Sequence, residues 1–370
     1  MDKNLVIFGT RPEFIKLLPV MVEIKKQNLE TQFVYVFTGQ HHEMTRDLLL
    51  TFNFSPDISL EEKNHHNSLS RSYAGILAGL QEAIDDLRKT HTIKMIIGQG
   101  DTSSCACAAM SAFFNEIPFA HIEAGLRTHN MENPFPEEYF RRMISLTTAM
   151  HFVPTAVAAE NLLREGITEE RIVITGNTIA DVIEYLKPLD LQPRDPMQDT
   201  GFPATATNVM ITCHRRENQN GNFHILVETV KTLAEEYPSL NFTWISHKTP
   251  FIQHELQSEL FGNHPNVRVI PPLGLIEMYR LYETTRLIIT DSGGVQEEAP
   301  GFNIPVIVIR DVTERSESVD LGYSVLTGMN REKILDAFRH FMGRERTTMI
   351  NPYGDAHAAK KIVDCLSRLV

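Results

Sequence analysis

Cysteine is scarce in this sequence, since the 370 residues contain only Cys105, Cys107, Cys213 and Cys365. Their spacing matches neither a disulfide framework nor a zinc site, so a small disulfide-stapled module is excluded and no metal is expected. Apolar runs of the roughly 18 residues that a membrane-spanning helix needs are also missing. The opening residues, MDKNLVIFGT, lack the features of a signal peptide, which predicts a soluble protein of the reducing cytoplasm.

Positive charge is also in short supply. Lys and Arg number 35 against 47 Asp and Glu, and the formal net charge is -12. A field of this sign repels phosphate backbones and anionic lipids, which argues against nucleic acid and membranes as main partners. Any anionic ligand must therefore be held by positive groups that are concentrated locally.

Apolar β-type runs alternate with segments of helical period. One series extends from Leu5–Phe8 to Arg171–Thr175, and a second extends from Asn208–Cys213 to Pro305–Ile309. This alternation predicts parallel sheets covered by helices on both faces. The chain length, at roughly 150 residues per domain, also predicts two domains. The expected fold class is therefore α/β, with two doubly wound, Rossmann-like domains around a cleft.

The predicted boundaries follow from composition. A proline-rich polar stretch separates the two series, which predicts an N-terminal domain at 1–187, a linker at 188–206 and a C-terminal domain at 207–352. The last helical segment, 356–369, cannot be assigned to either domain from its periodicity.

Ligands of parallel sheets bind at the carboxyl ends of the strands. Two turns at such positions have the features of anion-binding sites. In FGTRPEFIK a glycine turn precedes a helix start with Arg11 and Lys16 nearby, although a solvated turn would also explain this motif alone. In ITDSGGVQEEAP the amides of Ser292, Gly293 and Gly294 suit a phosphate, and Glu298 can accept hydrogen bonds from ribose hydroxyls.

A basic cluster follows the first strand of the second series. His214, Arg215 and Arg216 are consecutive there, and arginine can bridge two diphosphate oxygens while histidine can donate a hydrogen bond or a proton. Arg315, which follows another strand, could reach the same ligand or pair with Glu314.

Three acids follow strands of the first series: Asp101, Glu123 and Glu137. A carboxylate repels phosphate, so Asp101 is better suited to act on a hydroxyl or a proton. Neighbouring buried carboxylates can divide into acid and base roles. The alternatives are that Asp101 belongs to a helix N-cap region, and that Glu137 and Glu138 only complement a helix dipole.

Eight motifs together have the order and approximate spacing of the bacterial non-hydrolysing UDP-N-acetylglucosamine 2-epimerases, and nearly the whole chain resembles that family. They are FGTRPE, TGQHHEM, GQGDTSS, HIEAGLRT, PFPEE, HRREN, DSGGVQEEAP and RDVTER. The resemblance implies a glycosyltransferase-B-like arrangement and a homodimer. It also implies that residues 207–352 bind UDP and that residues 353–370 form a helix crossing back to the N-terminal domain.

The resemblance implies reversible conversion of UDP-N-acetylglucosamine into UDP-N-acetylmannosamine, for surface polysaccharide. UDP is eliminated across carbons 1 and 2 to give 2-acetamidoglucal, and it adds back with the proton on the opposite face. This reaction needs a base, an acid and a firm hold on the diphosphate, but no cofactor. Hydrolysing relatives have a His-Gly-Gly-Glu pattern where this chain has HIEAGLRT, so net hydrolysis is not expected.

The resemblance also assigns roles to residues at matching positions. Asp101, Glu123 and Glu137 match the catalytic carboxylates, with the choice of base left open, and His214 matches the active-site histidine that assists departure of the diphosphate. The positions expected to bind UDP are Arg11, Lys16, Ser292, Gly293, Gly294, Glu298 and Arg315. Gln40, His41 and His247 match a second UDP-N-acetylglucosamine site that activates some members. Departures such as His129–Asn130, where many members have Gly-Asp, leave the loop near the sugar and this regulation open.

Three alternatives compete with this interpretation. One is a 2-epimerase for a modified UDP-sugar, such as a diacetamido uronic acid. Another is a glycosyltransferase, and a third is a regulator that binds a sugar nucleotide without reaction. The last two have little use for Asp101, Glu123 and Glu137 together.

Overall fold

The computed structural model describes residues 2–40, 42–60, 68–187, 202, 207–215, 218, 222–246, 264–345 and 348–369, with only the backbone described at 42–44. The chain divides into two compact units, Met1–Tyr185 with Tyr353–Val370, and Leu186–Pro352. Each unit contains one sheet of parallel strands, which confirms the predicted α/β class. The linker predicted at 188–206 lies almost entirely outside the described residues.

The sheet of the first unit has the order β3-β2-β1-β4-β5-β6-β7. Its central strands are apolar on both faces, because helices cover both sides of a parallel sheet. The edge strand β3 has only two residues, too few to show a periodicity in the sequence. The bounds are β1 Asp2–Phe8, β2 Phe33–Phe37, β3 Ile58–Ser59, β4 Thr92–Gln99, β5 Phe119–Ile122, β6 Met150–Val153 and β7 Ile172–Ile174.

In the described part of this unit, seven helices connect or follow these strands. They are α1 Arg11–Lys26, α2 His42–Thr51, α3 Leu69–Arg88, α4 Ser103–Phe114, α5 Glu137–Thr147, α6 Ala156–Arg164 and α7 Thr178–Leu186. The small side chains of α4 bring its backbone close to the sheet. Gly98 on β4 is part of this close packing, since a Cβ there would lie 2.8 Å from the Phe119 ring and 2.9 Å from Cys105 Sγ.

The last helix, α13 (Ala358–Leu369), belongs to the first unit. It packs against α1, where Gln27 Nε2 donates to Asp364 Oδ1 over 2.8 Å. Its amino end is capped by the buried Asp181, whose carboxylate accepts the main-chain N–H groups of Ala358 and Ala359 at 3.2 and 3.0 Å.

The second unit has a sheet of order β10-β9-β8-β11-β12-β13, with Trp244 fully buried on β9. Its strands are β8 Asn208–Thr212, β9 Asn241–Ile245, β10 Val267–Ile270, β11 Thr285–Thr290, β12 Val306–Val308 and β13 Ser324–Leu326. Its described helices are α8 Phe223–Glu236, α9 Leu275–Thr284, α10 Gly293–Glu298, α11 Ser316–Asp320 and α12 Arg331–Met342. Within the described parts of both units, no helix has the length and apolar character needed to cross a membrane.

Candidate active site

The buried carboxylate of Glu13 joins two turns at the carboxyl edge of the first sheet. Its Oε2 accepts the N–H groups of Gly9 at 3.0 Å and Thr10 at 2.8 Å, in a capping box that starts α1. Its Oε1 accepts the hydroxyl of Thr102, the N-cap of α4, over 2.5 Å. Burial raises the pKa of Glu13 to about 7, although these hydrogen bonds act in the opposite direction. The turns that carry Arg11 and Asp101 are thereby tied together.

Asp101 lies next to this junction, in contact with a cation. Arg141 Nε donates to Asp101 Oδ2 over 2.8 Å, and the Arg141 side chain is only 5% exposed while that of Asp101 is 27% exposed. The N-cap of α4 is Thr102, whose hydroxyl accepts the N–H of Cys105 at 3.1 Å, and not Asp101. The carboxylate of Asp101 is therefore held by Arg141 at the edge of the unit.

A buried histidine supports the backbone before Asp101. His121 Nε2 lies 2.7 Å from the carbonyl oxygen of Gly100, and Gly100 has a φ of 74°. Burial lowers the pKa of His121 to about 4, so the neutral ring donates from Nε2 to this carbonyl near pH 7. His151, its register neighbour on β6, is also buried, and its pKa is lowered to about 3.

Glu123 follows β5 with a left-handed φ of 66°. Its Oε2 accepts from Lys16 Nζ at 2.5 Å and from Gln99 Nε2 at 2.7 Å. Both members of the ion pair are nearly buried, with side-chain exposures of 9% for Lys16 and 8% for Glu123. Lys16, which was expected to bind UDP, therefore contacts a candidate catalytic carboxylate.

The two acids that begin α5 differ in their surroundings. Glu137 is half-buried, whereas the Glu138 side chain is fully buried. Glu138 accepts the N–H groups of Thr128 and His129 at 3.0 and 3.1 Å and pairs with Arg141 at 3.3 Å. Glu138 thus connects the loop after β5 with the arginine that holds Asp101. It does more than complement a helix dipole.

The other predicted residues of the first unit are only partly described. Arg11 is half-buried at the first position of α1. Gln40 accepts the N–H of Ser104 at 3.0 Å and its hydroxyl at 2.8 Å, so it contacts the start of α4. His41 and, in the second unit, His247 lie outside the described residues.

In the second unit, Asp291 organises the turn that carries His214. The carboxylate is fully buried and accepts the main-chain N–H of His214 and, at 2.9 Å, that of Arg215. His214 Nδ1 lies 3.1 Å from Asp291 Oδ1, and Asn218 Nδ2 donates to Oδ2 over 2.9 Å. Burial acts to raise the pKa of Asp291, but the hydrogen bonds and the His214 ring hold it well below its ordinary value.

The turn after β11 has open space beside one glycine and protein beside the other. Among the described residues, none has an atom within 4 Å of a Cβ placed at Gly294, which leaves room there for an approaching ligand. A Cβ at Gly293 would lie 2.7 Å from Arg315 Cζ. Ser292 is half-buried, and its N–H donates to Thr290 Oγ1 over 2.9 Å.

Arg315 lies under this turn in a buried network of ion pairs. Its Nη2 is 2.6 Å from Glu297 Oε1, its Nη1 contacts Glu314, and Arg310 Nη1 lies 3.1 Å from the other oxygen of Glu314. Arg315 therefore pairs with Glu314, which is one of the two possibilities that the sequence left open. Glu298 is half-buried and accepts the Tyr282 hydroxyl at 2.5 Å.

Three residues with central positions were not predicted: Glu13, Arg141 and Asp291. Glu13 stands three residues after Thr10, which is the spacing of a capping box. Arg141 stands four residues after Glu137, on the same face of a helix. No sequence signal links Asp291 to His214, since 77 residues separate them.

Known proteins resemble this chain over nearly its whole length. The family model for UDP-N-acetylglucosamine 2-epimerase matches residues 23–367. A protein of this name from Neisseria meningitidis is 35% identical, over 98% of this chain and 99% of the relative. One from Campylobacter jejuni is 34% identical, over 99% of this chain and 97% of the relative.

Solved structures give the same result. The structure of the Neisseria meningitidis enzyme bound to UDP-GlcNAc has a TM-score of 0.90 and 34% identity, and the match covers 99% of this chain and 100% of that one. The Methanocaldococcus jannaschii enzyme in complex with UDP-GlcNAc and UDP has a TM-score of 0.85 and 29% identity, with 100% of both chains covered.

Each parallel α/β unit places polar groups after its strands, acids beside buried cations in the first and a glycine turn with His214 in the second, which is typical of enzymes that bind nucleotides. The chain belongs to the UDP-N-acetylglucosamine 2-epimerase family. The family resemblance predicted from the ordered motifs is thereby confirmed. The protein is an isomerase, and the comparisons do not favour the alternatives.

Proposed function

We propose that this chain interconverts UDP-N-acetylglucosamine and UDP-N-acetylmannosamine by elimination and re-addition of UDP, in the supply of surface polysaccharide. The observation that carries this mechanism is the pair of carboxylates at one sheet edge, Asp101 and Glu123, each held by a buried cation. Relatives of the same fold bind UDP-GlcNAc or UDP, according to the descriptions of their structures.

The chemistry explains why acids are needed. Carbon 2 of the sugar is not adjacent to a carbonyl group, so direct deprotonation gives no stabilised carbanion. A base removes the proton at carbon 2 as the bond from carbon 1 to the diphosphate oxygen breaks. The electron pair of that carbon–oxygen bond leaves with UDP. The resulting 2-acetamidoglucal then takes back UDP at carbon 1 and a proton at carbon 2, on the opposite face.

The first unit supplies the groups for proton transfer in this proposal. Asp101, Glu123 and Glu137 are the three candidate acids and bases. Arg141 and Lys16 offset the charges of Asp101 and Glu123, which lowers the cost of keeping carboxylates near an anionic substrate.

The second unit supplies the groups that hold UDP. The open backbone at Gly294 allows close approach of a phosphate, and Ser292 and Gly293 precede it in the same turn. His214 assists departure of the diphosphate, and Glu298 binds the ribose. The Arg315 guanidinium is paired with Glu297 and Glu314, so Arg315 supports the glycine turn that binds the phosphate. Arg11, on the first unit, is a further candidate for binding UDP.

We also propose that two copies of the chain associate, through α4 and α5. These neighbouring helices expose large apolar side chains, with exposures of 62% for Phe113, 64% for Phe114 and 79% for Leu146. Exposed apolar groups on adjacent elements are typical of protein interfaces. A Leu146→Glu variant should sediment as a monomer where the wild type sediments as a dimer.

We place the reaction in the cytoplasm, consistent with four cysteines that form no disulfide.

The reaction is tested by proton NMR of the protein with UDP-N-acetylglucosamine in deuterium oxide, with no added cofactor or metal. We expect UDP-N-acetylmannosamine to appear, with deuterium at carbon 2 of both sugars. Asp101→Asn should slow this exchange roughly 10²- to 10⁴-fold. Glu82→Gln, at an exposed position on α3, is the matched control.

Two results would contradict the proposal. Free UDP with free N-acetylmannosamine would identify a hydrolysing enzyme, and an unchanged spectrum would exclude UDP-N-acetylglucosamine as the substrate.

A further inference from the structure

The buried carboxylate of Asp291 contacts the His214 ring in addition to the backbone of the same turn. Oδ1 lies 3.1 Å from His214 Nδ1, and both carboxylate oxygens are within 3.1 Å of the main-chain nitrogen of His214. Asp291 is fully buried, whereas the His214 side chain is 35% exposed. One side of the imidazole therefore faces a buried acceptor, and the ring also reaches the surface of the unit.

We propose that Asp291 is a positioning residue that fixes the tautomer of His214, with the proton on Nδ1 and the lone pair of the neutral ring on Nε2. The catalytic consequence of this inference rests on the proposed function. The tautomer itself is a property of the protein without substrate.

The proposal follows from the hydrogen bonds that Asp291 receives. The main-chain N–H of Arg215 and the side-chain amide of Asn218 each donate to Oδ2 over 2.9 Å, and these donors favour an ionised carboxylate. The pKa of Asp291 is accordingly held well below its ordinary value. An ionised carboxylate can only accept, so the ring nitrogen that faces it must donate.

The consequence for the reaction concerns the other ring nitrogen. With Nδ1–H donated to Asp291, the ring gains or loses a proton only at Nε2. When the bond from carbon 1 to the diphosphate oxygen breaks, the electron pair goes to that oxygen. Protonated Nε2 can donate to it, and it recovers the proton when UDP adds back. A carboxylate that orients a catalytic histidine is a general device of enzymes.

Asp291→Asn is the informative variant, because asparagine keeps the side-chain shape. Its amide oxygen can accept the N–H groups of the turn, and its NH₂ group then faces Nδ1 of His214. A donor at that position selects the opposite tautomer, with the proton on Nε2. Asp336→Asn, at an exposed position on α12, makes the same chemical change away from the histidine.

The test is long-range proton–nitrogen NMR on protein labelled with ¹⁵N-histidine, without substrate and with the ring neutral. The protein has 15 histidines, and the signals of His214 are identified as the set that is missing from the spectrum of His214→Asn. We expect a protonated Nδ1 and an unprotonated Nε2 in the wild type and in Asp336→Asn, and the reverse in Asp291→Asn. A wild-type ring with its proton on Nε2 would overturn the proposal, even if Asp291→Asn failed to fold.

Activity gives a second, separable readout. Asp291→Asn should lower kcat by roughly 10⁴-fold, the size of effect produced by a wrong histidine tautomer in a serine protease. The double variant with His214→Asn should be no slower than His214→Asn alone, because the two residues act as one unit. An additive loss would overturn the catalytic consequence. Absence of epimerase activity in the wild type would refute the proposed function, and the NMR result would still decide the tautomer.

Discussion

Replacing Glu13 with glutamine should stabilise the first unit above neutral pH. The Glu13 carboxyl is fully buried, and burial raises its pKa from 4.5 to about 7. Glutamine suits the same position of a capping box, because its side-chain oxygen can accept the N–H groups of Gly9 and Thr10. It cannot ionise, so the variant removes the cost of a buried charge and keeps the local geometry.

The sign and size follow from proton linkage. Between pH 4.5 and 7 the folded chain retains a proton on Glu13 that the unfolded chain has released. This contribution to stability is therefore fully present below pH 4.5, and it is lost as the pH rises through 7. A shift of this size corresponds to about 3 kcal/mol. The free energy of unfolding of Glu13→Gln, relative to the wild type, should rise by about that amount between pH 4.5 and 8.

Hydrogen exchange of the β1 amides is a suitable assay, because the single tryptophan, Trp244, reports only on the second unit. Comparing variant and wild type at each pH cancels the intrinsic exchange rates and the opposing titration of buried histidines such as His121. Glu82→Gln should show no such trend. A difference between Glu13→Gln and wild type that stays constant from pH 4.5 to 8 would refute the reasoning.

Two further predictions concern buried charge and close packing. Lys16→Met should destabilise the first unit by roughly 3–5 kcal/mol, because it leaves Glu123 without its buried cation, and adding Glu123→Gln should recover most of this loss in the same exchange assay. Gly293→Ala should destabilise the second unit by roughly 1–3 kcal/mol in urea unfolding followed by tryptophan fluorescence, because its Cβ meets the Arg315 guanidinium, which buried ion pairs hold in place. Gly294→Ala, whose Cβ meets no atom of the described part of the chain within 4 Å, should lose no stability, and an equal loss in both variants would contradict this account.

The sequence by itself determined the fold class, and it singled out the candidate site residues. Alternation of apolar strands and helical segments is a local pattern, so it is readable from one chain, and parallel sheets place ligand-binding groups after their strands. That rule singles out Asp101, Glu123 and His214 from residue order alone. The order of eight motifs then identified the family, which the comparisons confirmed.

Only the tertiary structure decided what each side chain contacts. Lys16 and Glu123 are separated by 107 positions, and His214 and Asp291 by 77, so no local pattern pairs them. Burial is likewise a property of the packed unit, and it distinguishes the enclosed Glu138 from its half-buried neighbour Glu137. Two edge strands, β3 and β13, were missed for a related reason, since their few residues show no clear pattern and pair only because a neighbouring strand is present. Residue type shows which chemistry is available, whereas long-range packing sets the distances and the exclusion of water on which that chemistry depends.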